Sequence, residues 1–122
     1  MGWLSNLFGG EAVLPTPLRT LGDYQAQVLD ADGPVILNVT SDTCAPCRRL
    51  KPVLEKVATR YAGRVRVVEV GASAEGPLLA RLQVRATPTL IMFDRGEEIG
   101  RMTGFRPADW FDQMITTEFP EA

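Results

Sequence analysis

Five consecutive residues, Val35-Ile36-Leu37-Asn38-Val39, are apolar and largely β-branched, with a single polar interruption. A strand covered on one face alternates apolar and polar residues. A run without alternation is expected where a strand is buried on both faces, with helices packed against each side. The rest of the chain is read against that central strand.

Ahead of it, Val13 to Leu18 looks extended but holds Pro15 and Pro17. Prolines two apart lose donors on the same side of a strand, so this segment fits only a sheet edge. Thr20 to Ala31 reads as a helix, with Thr20 as N-cap, Asp23 three residues on, and Leu21, Tyr24 and Val28 on one face. Asp32-Gly33-Pro34 is a turn. Beyond the central strand, a helical pattern runs from the Cys44–Cys47 segment through about Ala62, with Leu50, Val53, Leu54, Val57 and Tyr61 in register. Pro52 lies inside it and is expected to kink it. Arg64 to Val70 is a second central strand, Pro77 to Leu82 a short helix, and Thr89 to Phe93 a third apolar strand. Asp94-Arg95-Gly96-Glu97 reads as a hairpin turn into Ile99 to Thr103. Pro107 opens a last helix carrying Trp110, Met114 and Ile115. The order β-α-β-α-β-α-β-β-α predicts an α/β fold with a mixed, mostly five-stranded sheet, parallel in its first part, and helices on both faces.

A chain of 122 residues is long enough for one domain with a real core. That domain is expected over 13–122, behind an arm or short helix over 1–12. Trp3, Leu4, Leu7 and Phe8 share a helical face, which suits either a membrane-surface or partner-docking helix, or an arm folded onto its own domain. No stretch reaches the roughly 18 apolar residues of a membrane span. The first positive charge is Arg19, and Asn6 stands where a myristoylation signal has Ser or Thr, so the expected compartment is the cytoplasm. With 13 Lys plus Arg against 15 Asp plus Glu, the net charge of −2 argues against nucleic acid as partner. There is no histidine. That removes Ser-His and Cys-His nucleophile pairs, His-ligated metals and His-held haem.

What remains for chemistry centres on Cys44-Ala45-Pro46-Cys47. A zinc site needs about four ligands, and two thiolates leave it half built. Covalent haem wants His after the second Cys, where Arg48 stands. A purely structural disulfide closing so small a ring contributes only about 2 kcal/mol, against roughly 3 for a fifteen-residue loop. Two inert buried thiols are the plainest reading. Redox chemistry accounts for the pair better, because of its position. Cys44 follows a buried strand where the next helix begins, and unpaired N–H groups with the positive end of the helix dipole favour a thiolate there. Arg48 adds a cation one turn on. Cys47 lies about one turn inside, more buried, suited to stay protonated until needed. Pro46 stiffens the first turn. The pair thus reads as an attacking and a resolving thiol.

At these residues the chain resembles the thioredoxin family, over roughly Thr20 to Ile115. The matching features are Ala31-Asp32-Gly33, Cys44-Ala45-Pro46-Cys47, the helix proline Pro52, Ala86-Thr87-Pro88-Thr89, Gly96 and Gly104. Pro88 stands 44 residues after Cys44, the family spacing for the proline that faces the active-site disulfide. The resemblance implies a thioredoxin fold, a cis Thr87–Pro88 bond, and a backbone at Thr87 that pairs with an extended substrate segment. The plainer reading of Pro88 is an ordinary strand-leading proline. Four departures matter. Thr43 replaces the usual Trp before the first Cys, and Ala45 replaces the usual Gly, which reshapes the substrate rim together with Pro46. Asn38 stands where the family has a buried aspartate that helps deprotonate the resolving thiol, and Glu69 stands where it usually has lysine. One hypothesis is that the carboxylate has moved strands and Glu69 accepts the Cys47 proton through water. The plainer alternative is a hydrogen-bonded core Asn38 beside a solvated strand-end Glu69.

The expected activity is thiol–disulfide exchange that reduces protein disulfides, with no bound cofactor and no metal. Disulfide-containing proteins are the expected substrates of a monomer that a separate reductase recharges. Two rivals stand beside this: a redox partner dedicated to one client, and a binding module of the same fold whose cysteines are incidental.

Overall fold

The computed structural model describes residues 12–122, which run β1 (Thr16–Leu18), α1 (Leu21–Tyr24, continued by a π-helical turn Gln25–Leu29), β2 (Pro34–Val39), α2 (Ala45–Arg60), β3 (Arg66–Val70), α3 (Gly76–Leu82), β4 (Thr89–Asp94), β5 (Glu97–Thr103) and α4 (Ala108–Glu118). The arm reading for Trp3 to Phe8 falls outside the described residues. The strands form one sheet in the order β1-β3-β2-β4-β5. β1 and β2 both run parallel to β3, while β4 is antiparallel to β2 and β5 to β4. Val35 to Val39 are all buried, as their unbroken apolar run predicts.

Alternation along each strand splits the core in two. On one face Ile36, Val67, Leu90 and Met92 pack beneath Leu50, Leu54 and Val57 of α2 and Phe111, Met114 and Ile115 of α4. On the other, Val35, Leu37, Val68 and Ile91 meet Tyr24 and Val28 of α1 and Leu78 and Leu82 of α3. Two covered faces make Asn38 a polar residue in an apolar layer.

Several boundaries depart from the sequence reading. β1 is only three residues long, since Pro15 and Pro17 limit what the edge can donate, and Pro17 sits opposite Glu69. The helix expected over Thr20 to Ala31 begins as read: Thr20 Oγ1 accepts from the Asp23 N–H at 3.0 Å, and Asp23 Oδ2 accepts from the Thr20 N–H at 3.1 Å. These backbone donors, that of Arg19 first, hold the Asp23 carboxyl below its ordinary pKa. The helix then widens into a π turn, closed by the Asp30 N–H on the Gln25 carbonyl at 2.9 Å. β3 starts at Arg66, after a turn through Gly63, while α3 takes in Gly76 and β5 starts directly at Glu97. Pro107 is the cap of α4, with extended backbone, so its ring precedes the helix.

The β4–β5 turn is two residues, Arg95 (φ 53°) and Gly96 (φ 84°). Gly96 faces the end of α1: a Cβ built there overlaps the Leu29 carbonyl oxygen. Gly96→Ala is therefore expected to lose about 1–2 kcal/mol from the left-handed conformation alone, and more from the overlap. Urea unfolding measures it; an unchanged midpoint would mean that the hairpin does not sit against α1.

Candidate active site

The chain leaves β2 on the sheet's midline. The Thr40 N–H still pairs with the Val70 carbonyl at 2.9 Å, and Ser41 Oγ then accepts from the Thr43 N–H at 3.4 Å. Cys44 has extended backbone and serves as the N-cap of α2, its Sγ accepting from the Cys47 N–H at 3.2 Å. Pro46 has no N–H to satisfy and suits this first turn. The Arg48 N–H closes the turn on the Cys44 carbonyl at 3.2 Å. Cys44 and Cys47 are joined as a disulfide with Cα atoms 5.2 Å apart. Their settings differ: Cys44 is half-buried at the surface, while Cys47 is 3% exposed.

The second wall comes from the segment before β4. The Thr87–Pro88 bond is cis, and the Thr87 carbonyl oxygen lies 3.4 Å from Cys44 Sγ. A disulfide sulfur has no hydrogen to give, so this contact becomes a hydrogen bond only when Cys44 is a thiol. Pro88 is buried, and its carbonyl accepts from the Gly104 N–H at 2.9 Å, with Gly104 at φ 102°. Arg49 lies over the Phe105 ring at 4.8 Å. Thr43 and Ala45 are exposed and Pro46 half-buried on one side of the disulfide, with Thr87 on the other. The sequence-predicted rim is thus assembled around the sulfurs. Arg48 is exposed, and its side chain lines the space beside Cys47.

That space is a cavity of about 400 Å³ bounded by β1, β2, β3 and α2 and lined by Cys47, Asn38, Glu69, Asp42, Lys51 and Glu55 among others. Asn38 and Glu69 are Cα partners on neighbouring parallel strands and share a face of the sheet. Asn38 is 3% exposed, and its Oδ1 is the one buried side-chain oxygen without a hydrogen-bond partner among the described residues. Among the described residues Asn38 Oδ1 thus has no protein partner, and Asn38 lines the cavity beside Glu69. Glu69, the last residue but one of β3, is half-buried, lines the same cavity and is flanked by Pro17 and Asn38.

Sequence reasoning passed over Lys51 and Glu55, although spacings of four and eight residues after Cys47 place them on its helix face. It also gave no role to Phe105, which follows Gly104, the residue whose N–H reaches the Pro88 carbonyl. A larger cavity, about 510 Å³, lies at the far end of α2 against Ala58, Ala62 and Val65 and contains no sulfur, so volume alone does not mark the reactive centre.

A protein-family model, Thioredoxin, matches residues 16–117. The chain is 36% identical over 97 residues to thioredoxin C-2 of Corynebacterium nephridii, covering 76% of this chain and 90% of that protein. It is 29% identical over 92 residues to thioredoxin 1 of Nostoc sp., covering 75% and 86%. Among solved structures, a mutant thioredoxin from Halobacterium salinarum superposes with a TM-score of 0.74 at 25% identity, over 85% of this chain and 89% of that one.

Proposed function

Because the chain belongs to the thioredoxin family and is a thiol–disulfide oxidoreductase that reduces protein disulfides, we propose that Cys44 is its attacking sulfur and Cys47 its resolving one. The Cys44 thiolate displaces one sulfur of a substrate disulfide, which leaves as a thiolate and takes a proton. Cys47, as thiolate, then attacks Cys44 Sγ and releases the second substrate sulfur. Two electrons pass to the substrate, and the Cys44–Cys47 disulfide remains. A separate reductase restores the dithiol, and no bound cofactor takes part.

The observation that carries this assignment is the asymmetry at the start of α2. Cys44 Sγ receives the Cys47 N–H at 3.2 Å at the surface, while Cys47 is 3% exposed behind it. A backbone donor at a helix N-terminus favours negative charge on the sulfur it faces. The substrate segment runs extended along Thr87, over a rim of Thr43, Ala45, Pro46 and Pro88. Among the described residues no helix is long and apolar enough to cross a membrane, and we assign the working form to a cytoplasmic monomer.

Acceleration of insulin reduction by dithiothreitol is the test. A general reductase brings insulin to turbidity well ahead of dithiothreitol alone. A client-dedicated enzyme leaves insulin at the background rate, and its Cys47→Ser variant traps a single mixed disulfide from lysate. A binding module keeps its partners after both cysteines become serine.

A further inference from the structure

Resolution of the mixed disulfide requires Cys47 as a thiolate. Its sulfur is shielded from bulk solvent, with the residue 3% exposed, and negative charge there is costly, so its proton is best passed to a base close by. The described residues contain no imidazole, which leaves the carboxylates as the anionic side chains that can take up the proton. The cavity beside Cys47 offers three, Asp42, Glu55 and Glu69. Asp42 is exposed on the loop after β2, and Glu55 stands two turns along α2. Glu69 is on the floor, beside Asn38 on the adjoining strand.

Asn38 singles out the floor. A buried acceptor left without a partner costs about 1–3 kcal/mol, and the unpartnered Asn38 Oδ1 belongs to a residue that lines this cavity. At roughly 30 Å³ per water, a cavity of about 400 Å³ has room for a water chain between Cys47 and Glu69. An amide oxygen accepts a hydrogen bond but is too weak a base to take a proton from a thiol. A carboxylate can take one in passing.

We propose that Glu69 is the proton acceptor for Cys47, reached through water that Asn38 Oδ1 positions. This rests on the attacking and resolving roles assigned above. In the step, the Cys47 S–H bond breaks and its proton passes through water to the Glu69 carboxylate. The thiolate forms the bond to Cys44 Sγ, and the Cys44–substrate S–S bond breaks. The substrate sulfur leaves with the electron pair and is protonated from solvent, and Glu69 then returns its proton to solvent. The other charged groups facing the cavity are Asp42 from the loop after β2 and Arg48, Lys51 and Glu55 from α2, while the β1 edge presents only uncharged residues.

The two half-reactions separate in stopped-flow mixing of the reduced full chain with one equivalent of dithiobis(nitrobenzoate). The first thionitrobenzoate reports attack by Cys44, and the second reports resolution by Cys47. Glu69→Gln is expected to slow the second release by about 10²-fold, the low end of general-base contributions, and to leave the first untouched. The pH profile of the second phase is expected to change with this substitution, and that of the first phase is not. Asn38→Asp in the Glu69→Gln background restores a carboxylate on the same floor and recovers the second phase. An unchanged second phase in Glu69→Gln, or equal slowing in Glu55→Gln or Asp42→Asn, overturns the proposal. Absence of the first release in the wild-type chain instead overturns the assignment of Cys44.

Discussion

Cys44→Ser is expected to bring insulin reduction down to the dithiothreitol background, and Cys47→Ser, reduced and then freed of dithiothreitol, to hold one substrate per chain as a mixed disulfide. The two losses differ because the two sulfurs stand on different sides of one helical turn. Without Cys44, the N-cap carries a hydroxyl that does not attack disulfides at neutral pH, and Cys47, 3% exposed, is out of a protein substrate's reach. Without the Cys47 sulfur, the donor that faces Cys44 is retained, because it is the backbone N–H of residue 47 and not its side chain. The first attack therefore proceeds, and nothing displaces the substrate. Mass spectrometry is expected to show an adduct on Cys44 that dithiothreitol removes. Release of reduced substrate by Cys47→Ser in the absence of dithiothreitol would falsify the assignment and place the resolving function elsewhere.

The parts of this site that were legible in the sequence are those fixed by neighbours in the chain. Thr20 and Asp23 make their capping box within four residues, and the Cys44–Cys47 spacing sets one sulfur at a helix start with the other a turn inside. Val35 to Val39 report burial on both faces because no other arrangement accepts such a run. The π turn after Tyr24 was illegible: Tyr24 and Val28 keep an apolar face whether the following bonds close over four residues or five. The state of Asn38 was illegible for another reason. Whether a buried amide finds a partner depends on three other elements, and here β1, β3 and α2 leave a cavity in place of a donor. Pairing of Asn38 with Glu69 needed the register of two strands thirty-one residues apart (69 − 38 = 31), which no local pattern encodes. The same holds for Gly104 on Pro88: the glycine was visible, its hydrogen bond was not.

Phe111→Ala is expected to lower stability by about 3–5 kcal/mol, a large part of the roughly 5–15 kcal/mol that holds a domain of this kind. The Phe111 side chain is fully buried and meets Trp110 edge-on at 5.0 Å between ring centroids. It packs in the layer of Ile36, Leu50, Leu54, Leu90 and Met92, and so joins α4 to the sheet and to the helix that carries the cysteines. The cost depends on whether α4 can settle into the space left behind. One residue further on it is tied down: Asp112 accepts from the Tyr61 hydroxyl at 2.7 Å and from Arg60 Nη1 at 2.5 Å. The Tyr61 hydroxyl, and then the Arg60 guanidinium, hold the Asp112 carboxyl below its ordinary pKa, so this clasp is ionised and intact at neutral pH. That clasp opposes a shift of the helix onto the space left behind, in keeping with a loss within this range. Urea titration is expected to show a lower midpoint with an unchanged slope. The disulfide and its N-cap lie at the other end of α2 from the clasp, so the surviving folded fraction keeps its rate of insulin reduction. A loss below about 1 kcal/mol would mean that α4 is not docked through Phe111.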